Sequence, residues 1–270
     1  MENRPIPYRT MIQCFAELFF GFILVAGPIS WTDRNSFFDT RNSDHNEQRW
    51  ISLESLQDSV NVDLLVLGNS HAYTGVNPKQ LSAATGMTSF VLANNGIIMR
   101  DAYWNLKSAL ELCSPQLILV ETTLLNGKAT KTKDSATLVS SIKSINARSR
   151  RGSKLESCLD LLSFDNLIYA WSPTLLNHHL LLEKPETVQK NILMGKYEVE
   201  PSKQKLFLGQ HARFTQGLSI EDLALYDSLG PPITSDLLNI SDENIEYTQR
   251  IIELAESVDA KVAFVAWRKL

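Results

Sequence analysis

Four consecutive residues, Gly68-Asn69-Ser70-His71, have side chains suited to chemistry. They follow Leu64-Leu65-Val66-Leu67, an apolar run flanked by polar residues. Such a run reads as a buried strand of a parallel sheet. A glycine at the end of that strand permits a sharp turn and lets a ligand approach the backbone. In an open α/β sheet, ligands bind just past the carboxyl ends of the strands. Ser70 therefore stands where a reactive hydroxyl belongs.

A serine hydroxyl is a poor nucleophile unless a neighbouring base takes its proton. The histidines are His45, His71, His178, His179 and His211. His45 lies in a polar stretch. His71 adjoins Ser70, but neighbouring side chains in a tight turn usually diverge. It is expected to line the pocket or hydrogen-bond the turn. His178 and His179 sit beside leucines and read as a polar break between helices. His211 lies in a polar run, Gly209-Gln210-His211-Ala212-Arg213, that could fold over the site. None of the five identifies itself as the base.

The elements that must position Ser70 succeed one another along the chain. A strand is predicted over 63–67. Asn77 and Pro78 suit the cap and first position of a helix over 78–85, and Gly86 suits its far end. A second strand over 89–92 ends in Ala93-Asn94-Asn95-Gly96. A helix over 101–112 presents Tyr103, Leu106 and Leu110 on one face, and Ser114-Pro115 breaks it. The third strand, 117–120, ends in Glu121-Thr122-Thr123. Ser241 caps a helix reaching Val258, with Tyr247, Ile251 and Leu254 in its stripe, and a fourth strand covers 261–267. Strands alternating with helices predict an α/β fold with a parallel, doubly wound sheet. Its strand ends share one edge, so Gly68, Asn69, Ser70, His71, Asn94, Asn95, Gly96 and Glu121 converge as site-lining residues.

The N-terminus reads differently. Residues 11–29 are mostly apolar, long enough as a helix for a bilayer's hydrocarbon core, and interrupted by Glu17. Arg4 and Arg9 precede them, which favours a cytoplasmic N-terminus. A retained signal-anchor over 11–31, a cleaved signal peptide and a buried helix all fit. Either of the first two exports the remainder of the chain. Residues 1–10 form a short tail and 32–61 a polar tether, with a short helix around 53–56. Residues 126–240 form an insertion with short amphipathic helices at 155–162 and 164–171, read as packing cover, a lid or a partner surface.

The chain is 44% hydrophobic and 21% charged, with a formal net charge of −4, so it can bury a core and does not suit nucleic acid. Its one cationic run, 143–154, lies among serines and reads as a solvated loop. Cys14, Cys113 and Cys158 form no CxxC and no zinc spacing, and two separated cysteines argue only weakly for a disulfide. No metal or cofactor is called for. The stretch 68–75 lacks the Gly-Lys-Ser/Thr of a phosphate loop, and no GxGxxG follows a strand.

Gly68-Asn69-Ser70-His71 at the first strand's end resembles the nucleophile block of the SGNH (GDSL-like) hydrolases. The wider run LGNSHAYTGVNP resembles membrane-anchored, cell-envelope members of that superfamily, of the alginate-acetylation and D-alanyl-transfer type. The resemblance covers about 62–123 and the last helix and strand. It implies a three-layer sandwich with a flavodoxin-like parallel sheet, preceded by one transmembrane helix, with the globular domain over 62–270 outside the cytoplasm. It implies Ser70 as nucleophile and the Gly96 N–H as oxyanion donor, after Asn94-Asn95. The family's third block supplies an asparagine where this chain has Glu121-Thr122-Thr123. Its last block, Asp-x-x-His, has no counterpart before Leu270, so the resemblance predicts a C-terminally incomplete chain. The implied activity is that of a serine esterase or O-acyltransferase on a cell-envelope glycan or lipid, with an integral-membrane acyltransferase as a possible partner. The alternative is a catalytically incomplete domain that serves binding or assembly.

Overall fold

The computed structural model describes residues 8–34, 45–57, 59–126, 135–148, 154–178, 180–183, 186 and 240–266. Its helices are α1 (Tyr8–Arg34), α2 (His45–Leu56), α3 (Ser70–Gly75), α4 (Pro78–Thr85), α5 (Met99–Ala109) and α6 (Ser135–Ala147). They continue with α7 (Lys154–Leu161), α8 (Leu167–Trp171), α9 (Pro173–Asn177), α10 (Leu180–Glu183) and α11 (Asp242–Glu256). The chain forms two compact units, Met1–Thr40 with Ile168–Val199, and Arg41–Leu167 with Glu200–Leu270.

The first unit contains α1. Its segment Ile12–Thr32 is 21 residues long and apolar enough to cross a membrane, by length and composition. At 1.5 Å per residue that segment spans about 32 Å, close to the thickness of a bilayer's hydrocarbon core. Leu18, Phe19, Phe20, Phe22 and Leu24 on it are all exposed. The Thr32 and Thr174 hydroxyls, 2.7 Å apart, join α1 to α9.

The second unit is an α/β domain. Strands β1 (Leu64–Gly68), β2 (Ser89–Ala93), β3 (Leu117–Glu121) and β4 (Lys261–Val265) form one sheet in the order β2-β1-β3-β4. Every pair is parallel. Side chains alternate across a strand. Leu64, Val66, Val91, Ala93 and Leu119 cluster with Ala72, Tyr73 and Val76 from α3 and the turn after it. Leu65, Leu67, Phe90, Leu92, Ile118 and Val120, at the intervening positions, are fully buried too. Both faces of the central strands are covered, which is why these strands read as unbroken apolar runs. The strands and the helices α4, α5 and α11 fall within three residues of the expected bounds. Asn77 caps α4 by accepting from the Lys79 and Gln80 N–H groups, and Ser241 caps α11 by accepting from Asn244 N–H at 3.2 Å. β4 ends at Val265, and Trp267 lies outside the described residues.

Three features depart from the expectations. The stretch 32–61, expected as a polar tether, contains α2, twelve residues long, with Trp50 and Leu53 buried. Arg49 on this helix stacks 4.5 Å over the Tyr73 ring of α3. The helix expected around 53–56 is the end of it; a low apolar count concealed the rest, because its inward stripe includes Asn46 and Arg49. The second departure is α6, which packs on α5 through polar contacts. Ser141 Oγ donates to Asp101 Oδ2 at 2.8 Å, and Ser144 Oγ to Asn105 Oδ1 at 3.2 Å. The third is the cationic run 143–154. It is helical through Ala147, and Arg148 is buried with its Nε–H donating to the Ser144 carbonyl. Residues 149–153 lie outside the described residues. All three cysteines are free.

α5, α7 and α11 meet at Asp160, which accepts from Trp104 Nε1–H at 2.5 Å and from the Tyr247 hydroxyl at 2.6 Å. Burial and that carboxylate push the Tyr247 phenol well above its usual range.

Burial raises the pKa of Asp101 above its usual 3.8, against the opposing pull of Arg148, the Ser141 hydroxyl and the Ile98 N–H. The same burial lowers Arg148 to about 10. A raised pKa means the folded state holds the proton more tightly than the unfolded state. The Asp101 contribution to stability is therefore greatest below 3.8 and is lost as pH rises through the folded value. Urea unfolding of wild type and Asp101→Asn across that window should show wild type losing stability relative to the variant as pH climbs. A difference that stays constant with pH would contradict this account.

Candidate active site

The Ser70 turn is built from its cap. β1 ends at Gly68, and Asn69 takes the N-cap position of α3 with extended backbone. Asn69 Oδ1 accepts from the His71 N–H at 3.1 Å, satisfying one of the unpaired donors at the helix start. The expected turn is thus the first turn of a short helix. Ala72 and Tyr73, both buried, hold that helix to the sheet. Ser70 occupies its first position, half-buried, with Thr74 Oγ1–H donating to its carbonyl at 2.6 Å. Among the described residues the Ser70 hydroxyl has no hydrogen-bond partner.

Beneath the turn lies Glu121, the last residue of β3, whose side chain is fully buried. Its Oε2 accepts from the Asn69 N–H at 2.7 Å. Its Oε1 accepts from the Thr123 hydroxyl at 2.6 Å and lies 3.2 Å from His71 Nδ1. Asn69 Nδ2 donates in turn to Thr123 Oγ1 at 3.1 Å. A buried carboxylate needs partners of this kind, because leaving it unpaired costs far more than an exposed one. One carboxylate thus ties the end of β3 to the cap residue and to the histidine after the serine. The His71 side chain is one-third exposed, so its ring runs from the buried carboxylate to the surface of the site.

Gly68 makes this approach possible. A Cβ there would lie 2.5 Å from both Ala72 Cβ and Glu121 Oε2. Real Cβ atoms do not come this close, so glycine is required by space rather than by backbone angle.

The second strand's end contributes unevenly. The Asn94 N–H donates to the Gly68 carbonyl at 3.1 Å, which ties this loop to the end of β1. Its side chain is fully buried, and neither Nδ2 nor Oδ1 has a hydrogen-bond partner among the described residues. Asn95 and Gly96 are exposed. Gly96 has φ +65°, and a Cβ there would lie 2.9 Å from Ser140 Oγ, so α6 closes on this loop. No hydrogen bond among the described residues links Asn95 or Gly96 to the Ser70 turn.

The structure therefore brings Gly68, Asn69, Ser70, His71 and Glu121 together and joins Asn94 to them through the backbone. Thr123 belongs to the same network and was missed, although it stands in the polar tripeptide that ends β3. His178 Nδ1 lies 2.8 Å from the Leu175 carbonyl, in a local contact, and His179 and His211 lie outside the described residues. Among the described residues no group of three or more His, Cys, Asp or Glu side chains could hold a metal. Comparison with protein-family models, curated proteins and solved structures finds no match to this chain.

Gly68→Ala should cost about 1–3 kcal/mol of stability, the usual penalty for overpacking. Urea denaturation measures it, and a variant as stable as wild type would show that the approach of Glu121 does not need glycine.

Proposed function

We propose that this protein is a membrane-anchored, SGNH-like serine esterase or O-acyltransferase that forms an acyl-enzyme at Ser70. The observation that carries the reading is the position of Ser70. It opens a helix directly past the carboxyl end of a central parallel strand, with its hydroxyl unengaged among the described residues and a buried carboxylate beneath the turn. The strand order β2-β1-β3-β4 and the burial of both strand faces support a flavodoxin-like, three-layer arrangement. Developing negative charge on the acyl oxygen would be met by the Ser70 N–H and by the Gly96 N–H, whose loop is bonded to the end of β1 through Asn94.

The α1 helix would hold the domain at a membrane, and Arg4 and Arg9, ahead of its apolar segment, favour a domain outside the cytoplasm. Substrates at that surface are a cell-envelope glycan or lipid, with an integral-membrane acyltransferase as the partner supplying acyl groups. A binding or assembly domain is the second reading. It is favoured by one observation: among the described residues no base is hydrogen-bonded to Ser70.

An alkyl fluorophosphonate separates the two. Wild-type protein should be labelled covalently and hydrolyse a short aryl ester, and Ser70→Ala should lose both, by at least about 100-fold. A wild type that resists the probe, or a Ser70→Ala variant that keeps its esterase activity, would exclude the acyl-enzyme. For the anchor, full-length protein should stay with membranes through an alkaline carbonate wash, and a variant lacking residues 1–34 should be released. Full release of the intact chain would remove the span.

A further inference from the structure

We propose that His71 is the general base of this site and that Glu121 is the positioning residue that makes it one. The inference rests on the serine-esterase reading above and names the group which that reading lacks.

Three observations support it. Glu121 Oε1 lies 3.2 Å from His71 Nδ1. The carboxylate is fully buried, whereas the imidazole is one-third exposed. Every other donor that reaches Glu121 approaches a defined oxygen, Asn69 N–H on Oε2 and the Thr123 hydroxyl on Oε1. A carboxylate only accepts, so the imidazole must present N–H at Nδ1. In the neutral ring Nε2 is then bare, and it lies on the side of the ring away from Glu121. That is the arrangement a base needs: one nitrogen fixed by a carboxylate, the other able to take a proton. Residues 70 and 71 diverge along the helix and share no side-chain hydrogen bond, so proton transfer from Ser70 to Nε2 runs through one bridging water.

The chemistry balances with these groups alone. Ser70 Oγ bonds to the acyl carbon while its proton passes to Nε2. As the adduct collapses, the ester C–O bond breaks and the departing oxygen takes the proton from Nε2. Water or an acceptor hydroxyl then gives its proton to Nε2, attacks the same carbon and displaces Ser70 Oγ, which is reprotonated.

Glu121→Gln distinguishes positioning from mere packing. The Asn69 N–H must keep an oxygen partner, which turns the new NH₂ toward His71 Nδ1. The ring would then accept at Nδ1 and carry its proton at Nε2, where it can no longer act as a base. Three measurements test this. In the ¹⁵N spectrum the neutral His71 ring should be the Nδ1–H form in wild type and the Nε2–H form in Glu121→Gln. Fluorophosphonate labelling of Ser70 should slow at least about 100-fold in His71→Ala and in Glu121→Gln. Added imidazole should restore part of the rate in His71→Ala, which also shows that the variant is folded. A wild-type ring protonated at Nε2 overturns the proposal without any variant. So does labelling of His71→Ala at the wild-type rate, which would leave the serine-esterase reading intact. A wild-type protein that is never labelled overturns both.

Discussion

A carboxylate buried under a backbone turn governs this site. Glu121 is fully excluded from water, and its two oxygens must find donors there. They take the Asn69 N–H, the Thr123 hydroxyl and His71 Nδ1. Each bond constrains something different. The first fixes the backbone where β1 becomes α3. The second folds the segment after β3 back on its own end. The third sets the direction of the imidazole next to Ser70. Removing the carboxylate would leave the cap N–H without its buried partner, so the turn's shape and the histidine's orientation depend on the same group.

The sheet delivers that carboxylate. With β1 between β2 and β3, the carboxyl ends of three parallel strands lie side by side, and Gly68 pairs with Ala93 across one boundary. Glu121 stands at the end of the strand on the other side. It reaches the turn only because Gly68 offers no side chain in its path. The fit is mutual: a glycine with no room for a Cβ and a glutamate with no route to water specify each other. α3 then carries Ala72 and Tyr73 into the apolar layer over β1 and β2, which holds Ser70 at the surface edge of the same helix.

Polar burial recurs around this core. α6 is held to α5 by Asp101, Asn105, Ser141 and Ser144, with Arg148 buried behind them. Such contacts depend on hydrogen-bond geometry. They help fix how α6 lies, and α6 sets Ser140 against Gly96, so the loop after β2 is shaped by a helix much further along the chain.

The sequence by itself determined the strands, the helices flanking them and the apolar N-terminal segment, because each follows from local periodicity, capping residues or length. It also singled out Ser70 as a candidate, because the turn after a parallel strand is where such sheets bind ligands. It marked only the end of α2, around 53–56, and read Arg148 as part of a solvated loop, because Arg49 and Arg148 turn their charged groups inward. Nor could it pair Glu121 with His71. Those residues are fifty positions apart, and a glutamate after a strand reads the same whether it satisfies turn amides or orients an imidazole. Only the tertiary structure decided that, because the register of β1 against β3 and the absence of a Cβ at Gly68 bring the carboxylate within hydrogen-bond distance of the ring.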